Sequence, residues 1–436
     1  MTGALALLLA LQAEVLSLNQ AEHRAEVGHP ALTAGQADSA AAAAVAMEAR
    51  AALMPQISLA AGYRYATANR TVRIGTSPAF VPAVLASRPM STNLYDYLTT
   101  GITLSQLIYD FGQSTGAART AALQAEAAAF TAESVRLDVL LGVRLAFFAA
   151  RARKELLDVA REGFATQQQH LAQVGGYVEV KMRPPIDLVQ ARADVGTMEL
   201  RMITAENDYA MAKVDLERAM GGVSGDDFEV GSDALPAIED EGQSASVLFA
   251  GAAGRPDLVG ADRQVKANEQ ALSAARGGYF PQVHLVLAAI DAGPMFHPGP
   301  FASDNLRWNY SAGLTLAWPL LEGGRTVGRN RQAGATLDAS RARRALLETD
   351  VRVQIERARR GIITATATVR ISQATVVNAR ERLRLATGRY QAGVGTALEA
   401  RDAQLAYLNA AADGVQAQFD LSVARAQLLR TLGRAY

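Results

Sequence analysis

The 436-residue sequence contains no cysteine, only 6% aromatic residues and no net charge. The absence of cysteine excludes disulfides, thiolate metal ligands, thiol nucleophiles and a lipid-modified N-terminal cysteine. Basic and acidic side chains number 43 each, so no general electrostatic attraction to nucleic acid or an anionic surface exists. No apolar run reaches the length of about eighteen residues that a membrane-spanning helix needs. That excludes transmembrane helices and leaves a transmembrane barrel open. What is abundant is alanine, roughly a fifth of the chain, where it is ordinarily one common residue among several. Alanine is the best helix former and lets helices approach closely, so a mostly helical protein with long, closely packed helices is expected.

Residues 1–13 read MTGALALLLALQA. The apolar stretch from Ala4 to Leu11 is too short to span a bilayer and fits the core of a secretory signal, with Ala13 near a cleavage point. No Lys or Arg precedes Arg24, so the expected start lies upstream of Met1.

The sequence then repeats itself, which is its most informative property. Pro55-Gln56-Ile57-Ser58-Leu59 recurs 226 residues later as Pro281-Gln282-Val283-His284-Leu285. Gly101-Ile102-Thr103-Leu104 recurs 212 residues later as Gly313-Leu314-Thr315-Leu316, and that spacing then holds from Gly112 and Gly324 to Gly221 and Gly433. Two near-equal halves with one change of loop length imply duplication of a structural unit: 14–221 and 255–436, joined by a linker at 222–254 rich in Gly, Ser and Asp.

Each half changes periodicity twice. An alanine-rich helix stops at Pro55 or before Pro281, because proline disfavours helix at the preceding residue. Alternation follows over 55–66 and 281–290, with return segments over 95–109 and 307–318. Ile57, Leu59, Ala61, Tyr63 and Tyr65 share one face against Gln56, Ser58, Gly62 and Arg64. An apolar face, a polar face and aromatics near the strand ends suit a lipid-facing, water-lined barrel, although alternation alone fits a sheet packed on a soluble core equally well. Long, proline-bearing loops of unequal length (66–93 and 291–305) favour the barrel. Helical patterning then runs over 113–174 and 325–388, breaking near Gly175-Gly176 and Gly393–Gly395, and a shorter helix returns in each half.

Four strands cannot close a barrel, and open strand edges are intolerable in hydrocarbon, so closure requires several copies of the chain. The five histidines lack metal-ligand spacing, and Gly323-Gly324-Arg325 has no following Walker lysine. No carboxylate pair is singled out by spacing, so neither an enzyme, a cofactor nor a metal site is expected. The arginines from Arg341 to Arg360 alternate with Glu348, Asp350 and Glu356, which reads as a solvated or inter-helix face and not as a nucleic-acid groove.

The doubled unit resembles the TolC-like outer-membrane efflux proteins. The resemblance is carried by Pro55-Gln56-Ile57, Leu107-Ile108-Tyr109-Asp110-Phe111-Gly112, Pro185-Ile186-Asp187-Leu188-Val189-Gln190-Ala191-Arg192, Tyr390-Gln391-Ala392-Gly393 and Leu428 to Gly433, in order over nearly the whole chain. It implies a homotrimer with a twelve-stranded outer-membrane barrel, continued by a helical periplasmic tunnel. The tunnel's closed tip would be opened by a periplasmic adaptor and an inner-membrane transporter. By position it makes Asp187 a gate acid and Tyr390 a gate tyrosine, with Glu399 and Asp402 the acids of a pore constriction. The family's gate arginine would fall at Gly395, so Lys181 or Arg183 in the opposing turn is expected to replace it. Gly393 and Gly395, with Lys181 and Arg183, form the tip turns that would meet the adaptor. The competing reading is a soluble periplasmic coiled-coil scaffold whose alternating segments form a small buried sheet; the two differ in detergent dependence.

Overall fold

A computed structural model of the chain describes residues 14–67, 94–222, 228–239, 241–293 and 308–435. The expected signal segment, most of the two proline-bearing loops and part of the linker lie outside these residues. The chain opens with a short strand β1 (Glu14–Leu16) and helices α1 (Leu18–Gly28) and α2 (Pro30–Ala51). Strands β2 (Gln56–Thr67) and β3 (Leu94–Tyr109) precede the long helix α3 (Gln113–Glu179) and its return α4 (Pro185–Met220). After β4 (Phe228–Val230) and α5 (Ala245–Gly251), the series repeats as α6 (Pro256–Gly277), β5 (Gln282–Gly293), β6 (Asn309–Ala317), α7 (Arg325–Gln391) and α8 (Ala397–Leu432).

The duplication extends to the backbone. The twin helices match in length, with 22 residues in α2 and α6, 67 in α3 and α7, and 36 in α4 and α8. The residues with positive φ also fall into pairs 212 apart: Phe111 and Gly323 (55° and 59°), Gly112 and Gly324 (87° and 88°), Lys181 and Gly393 (62° and 73°), Gly221 and Gly433 (109° and 71°). A side chain at positive φ is strained, which is why glycine usually sits there. Phe111 and Lys181 hold the inherited conformation without it.

Two sequence expectations need correction. Helix α3 does not break at Gly175-Gly176 but continues to Glu179, and α7 runs to Gln391. Glycine within a helix costs only about 1 kcal/mol each, and the true stop is the left-handed turn at Lys181 followed by Pro184-Pro185. The linker is also not all surface. Phe228, Val230, Leu235 and Leu248 are buried, and β4 pairs in parallel with β1. Its polar composition conceals these few apolar anchors.

The chain forms two compact units, one from 1–38, 129–260 and 345–436, the other from 39–128 and 261–344. Each draws on both sequence repeats. The first unit is helical around two cores. Phe147 and Phe148 of α3 pack with Leu16, Leu216, Phe228 and Leu429, while Val351, Ile355 and Ile362 of α7 pack with Leu248 and Leu428. Arg144 is buried beside Glu22 (2.6 Å) and also donates to the Ala435 carbonyl.

The second unit holds an antiparallel sheet in the order β2-β3-β5-β6. Its register sets Ile57, Leu59 and Tyr63 beside Leu104, Ile102 and Leu98, and these beside Leu287, Ala289 and Gly293, with Ala312 and Tyr310 next to Leu287 and Ala289. One face is therefore almost continuously apolar, and nothing among the described residues covers it: Ile57 is 71%, Leu59 75% and Leu314 72% exposed. The sheet is thus not the buried sheet of a soluble scaffold. Among the described residues no helix is long and apolar enough to cross a membrane. The helices of this unit approach through small residues, and the arginines of α7 pair with acids of α6: Arg341 with Glu269 (2.8 Å) and Arg344 with Asp262 (2.9 Å).

A Cβ added at Gly116 of α3 would lie 2.8 Å from the Ala274 Cβ of α6, whereas at Gly142 of the same helix it would meet nothing within 4 Å. Gly116→Val is therefore expected to destabilise by about 1–3 kcal/mol through overpacking. Gly142→Ala is expected to stabilise by about 0.5–1 kcal/mol through helix entropy. Denaturant midpoints in detergent check both; equal effects would refute the close approach of α3 and α6.

Candidate functional site

The turn between α3 and α4 meets the turn between α7 and α8 within the first compact unit. Both long helices end in the same motif. The Lys181 N–H donates to the Val178 carbonyl and the Met182 N–H to the Tyr177 carbonyl; in the twin, Gly393 donates to Tyr390 and Val394 to Arg389. These bonds satisfy carbonyls that would otherwise be left bare at the helix end. Helix α4 restarts on Pro185, and α8 on Thr396, whose Oγ1 accepts the Glu399 N–H at 3.1 Å. Asp187 and Glu399 thereby fall in the first turns of α4 and α8, where the helix dipole favours an acid.

Tyr390, only 5% exposed, is the centre of the contact. The Arg183 guanidinium lies 4.3 Å from its ring centroid and places Nη1 3.5 Å from Asp187 Oδ2. The His170 ring packs against the same tyrosine at 5.5 Å between centroids. A cation above an aromatic face is attracted by the ring quadrupole, more so when partly desolvated. Burial raises the Tyr390 phenol above its ordinary pKa, with Arg183 opposing. Burial and then Arg183 depress His170, against a smaller pull from Asp194. The Tyr390 hydroxyl is buried with no hydrogen-bond partner among the described residues.

The expected residues therefore separate. Arg183, Asp187 and Tyr390 form one cluster. Lys181 is an exposed turn residue outside it. Glu399 lies 4.0 Å from Arg389, an exposed and loose pair, and Asp402 is exposed with no partner among the described residues. Gly395 is held against the end of α7: a Cβ there would come within 3.0 Å of the Arg389 Cβ and the Tyr390 nitrogen. A larger side chain at that position would require the end of α7 to shift by a few tenths of an ångström.

Sequence reasoning missed His170, Arg389 and Thr396. His170 lies 17 residues before Asp187 on another helix, and no local spacing signals their proximity. Thr396 with Glu399 was legible as a capping pattern, and Arg183 with Asp187 as an i, i+4 pair. Among the described residues no group of acids and histidines could hold a metal.

A family model described as outer membrane efflux protein matches residues 22–222 and 251–434. The toluene efflux pump outer membrane protein TtgF of Pseudomonas putida is 26% identical over 258 residues, 58% of this chain and 52% of that protein. The chain spans about half the length of the curated relatives it matches. Two solved structures share the fold. The outer membrane protein VceC of Vibrio cholerae superposes with TM-score 0.81 and 18% identity, over 96% of both chains. The CmeC outer membrane channel of Campylobacter jejuni gives TM-score 0.82 and 16% identity, over 95% of this chain and 85% of that one.

Because the folded chain depresses the His170 pKa, it resists a proton that the unfolded chain takes up below about pH 6.5. The contribution is intact above that pH and lost as pH falls through it. In His170→Gln the drop in thermal midpoint between about pH 7.5 and about pH 5.5, followed by circular dichroism, is expected to be smaller than in the wild type. An unchanged drop would remove His170 from the acid response.

Proposed function

The chain belongs to the outer membrane efflux protein family, and we propose that it is the outer-membrane exit duct of a tripartite efflux pump or type I secretion system. Three copies would close their strands into one twelve-stranded barrel and continue it with their helices into the periplasm. Energy would come from an inner-membrane transporter, and opening from a periplasmic adaptor that meets the tip turns at Lys181, Arg183, Gly393 and Gly395. The observation that carries this reading is the four-stranded sheet: among the described residues nothing covers its apolar face, and its outer strands β2 and β6 have no further partner. In water such a face and such edges invite aggregation. In a bilayer the face is solvated by lipid and the edges pair with the next copy.

The tip would be the gate. Arg183 would replace the gate arginine, whose position is taken by Gly395, and would hold Tyr390 and Asp187 together within one chain. Glu399 and Asp402 are three apart and so share a helix face. Around a threefold axis they would place six carboxylates in a ring that attracts cations. Nothing in this arrangement calls for a cofactor, and the family is one of transport channels.

Planar-bilayer recording of the purified protein tests both parts. Small cation-selective openings are expected, and Glu399→Gln with Asp402→Asn is expected to lower cation over anion selectivity by several-fold without abolishing insertion. Unaltered selectivity would remove these acids from the constriction, and a protein that stays soluble without detergent and never inserts would defeat the duct itself.

A further inference from the structure

Above the tip lies a second contact that the gate residues do not explain. Tyr407 of α8, eight residues beyond Glu399 and so about 12 Å along the helix, is 5% exposed. Its hydroxyl oxygen accepts from Arg380 Nη2 of α7 at 2.9 Å and donates to Glu162 Oε2 of α3 at 3.4 Å. Arginine has donors only, so Arg380 occupies the phenol as an acceptor and leaves its proton for Glu162. Hydrogen bonds in such a chain polarise one another, and both ends here carry charge. Met198 of α4 joins Tyr407 and Leu408 in one buried cluster, and Leu408 packs so closely on α3 that a Cβ at Gly163 would be 3.2 Å from it.

Most polar contacts in this half of the helices stay within a pair. Arg161 to Glu206 (3.0 Å) and Arg153 to Asp208 (3.3 Å) join α3 to α4, and Arg389 to Glu399 joins α7 to α8. Such bonds survive if the two pairs move apart as bodies. Among the described residues, contacts between pairs that would resist that motion are Arg183 and His170 on Tyr390, the longer Arg401 to Asp194 contact at 3.9 Å, the packing of Met198 and Leu408, and Tyr407 to Glu162. The Tyr407 bond exists once per chain. The twin positions carry Gln168 for Arg380, Val195 for Tyr407 and Ala374 for Glu162, which cannot rebuild it.

We propose that Tyr407, aligned by Arg380, is a second clasp that holds the α7–α8 pair to α3, so that opening the tip requires release at two levels. The proposal rests on the duct reading and adds a regulatory residue to it. The test is open probability in planar bilayers for Arg183→Gln, Tyr407→Phe and the double variant, reconstituted as the intact oligomer. Tyr407→Phe keeps the ring and its packing and removes only the hydroxyl.

We expect Arg183→Gln and Tyr407→Phe each to raise open probability, and the double variant to exceed Arg183→Gln by about threefold, the effect of one long hydrogen bond. Glu162→Ala should match Tyr407→Phe, whereas Glu162→Gln, which keeps an acceptor, should remain close to wild type. A double variant no more open than Arg183→Gln overturns the clasp and leaves the duct standing. A wild type that inserts but never conducts, with every variant equally silent, takes down the duct and the clasp together.

Discussion

A backbone N–H or C=O facing hydrocarbon has no partner unless another strand supplies one, and this constraint governs everything else in the molecule. The sheet of β2, β3, β5 and β6 satisfies its inner strands and leaves the outer edges of two. A longer sheet could have closed on itself, and a charged face could have stayed in water. This one has neither option: its leucines, isoleucines and tyrosines are aligned in register and uncovered. On the duct reading, copies of the chain would complete the barrel, and their helices would be repeated with it. The duplicated unit follows from the same demand, since a ring is built most simply from repeats presenting equivalent edges.

Helices of 67 residues, about 100 Å each, cannot be held by a single core. They are held instead by small residues at close crossings, by two apolar clusters at one level, and by arginines. Helix α7 is the extreme case. Glu348 and Glu356 hold Arg352, Arg359 and Arg360 along the helix, with Glu356 brought down to about 2 by its two guanidinium partners. Exposed pairs of this kind add little stability. They do keep a highly charged helix from repelling itself, and they leave its opposite stripe, Val351, Ile355 and Ile362, for burial.

Much of this was legible in the sequence because duplication supplies a second observation of every feature. The strands, the long helices and their order follow from periodicity that appears twice. What escaped depends on single residues in three dimensions. The helix end at Lys181 was read six residues early because glycines draw attention and a strained lysine does not; its twin, Gly393, marked the true position. Phe228 and Leu248 vanish in a segment of polar composition although each fills a core. His170 reaches Tyr390 across two helices, a proximity that no spacing encodes. Of the two cations expected near the tip, Lys181 and Arg183, spacing could not say which lies against Tyr390 and Asp187; in the fold it is Arg183.

At the tip the twins share a backbone turn and differ in their side chains. At the ends of α3 and α7 the same hydrogen-bonded turn carries Lys181 in one copy and Gly393 in the other; Arg183 stands where the second copy has Gly395 and Tyr390 where the first has Val178, while the acids Asp187 and Glu399 are twins. Two identical pairs would be bound to each other equally on both sides, and no pair would be distinguished as the one that moves. Placing the cation on one turn and the aromatic on the other makes the contact directional, joining two unlike partners within a chain. The same holds above, where Tyr407 and Arg380 have no counterparts. Duplication supplies a symmetric frame, and the loss of symmetry at a few side chains is what would let that frame work as the proposed gate.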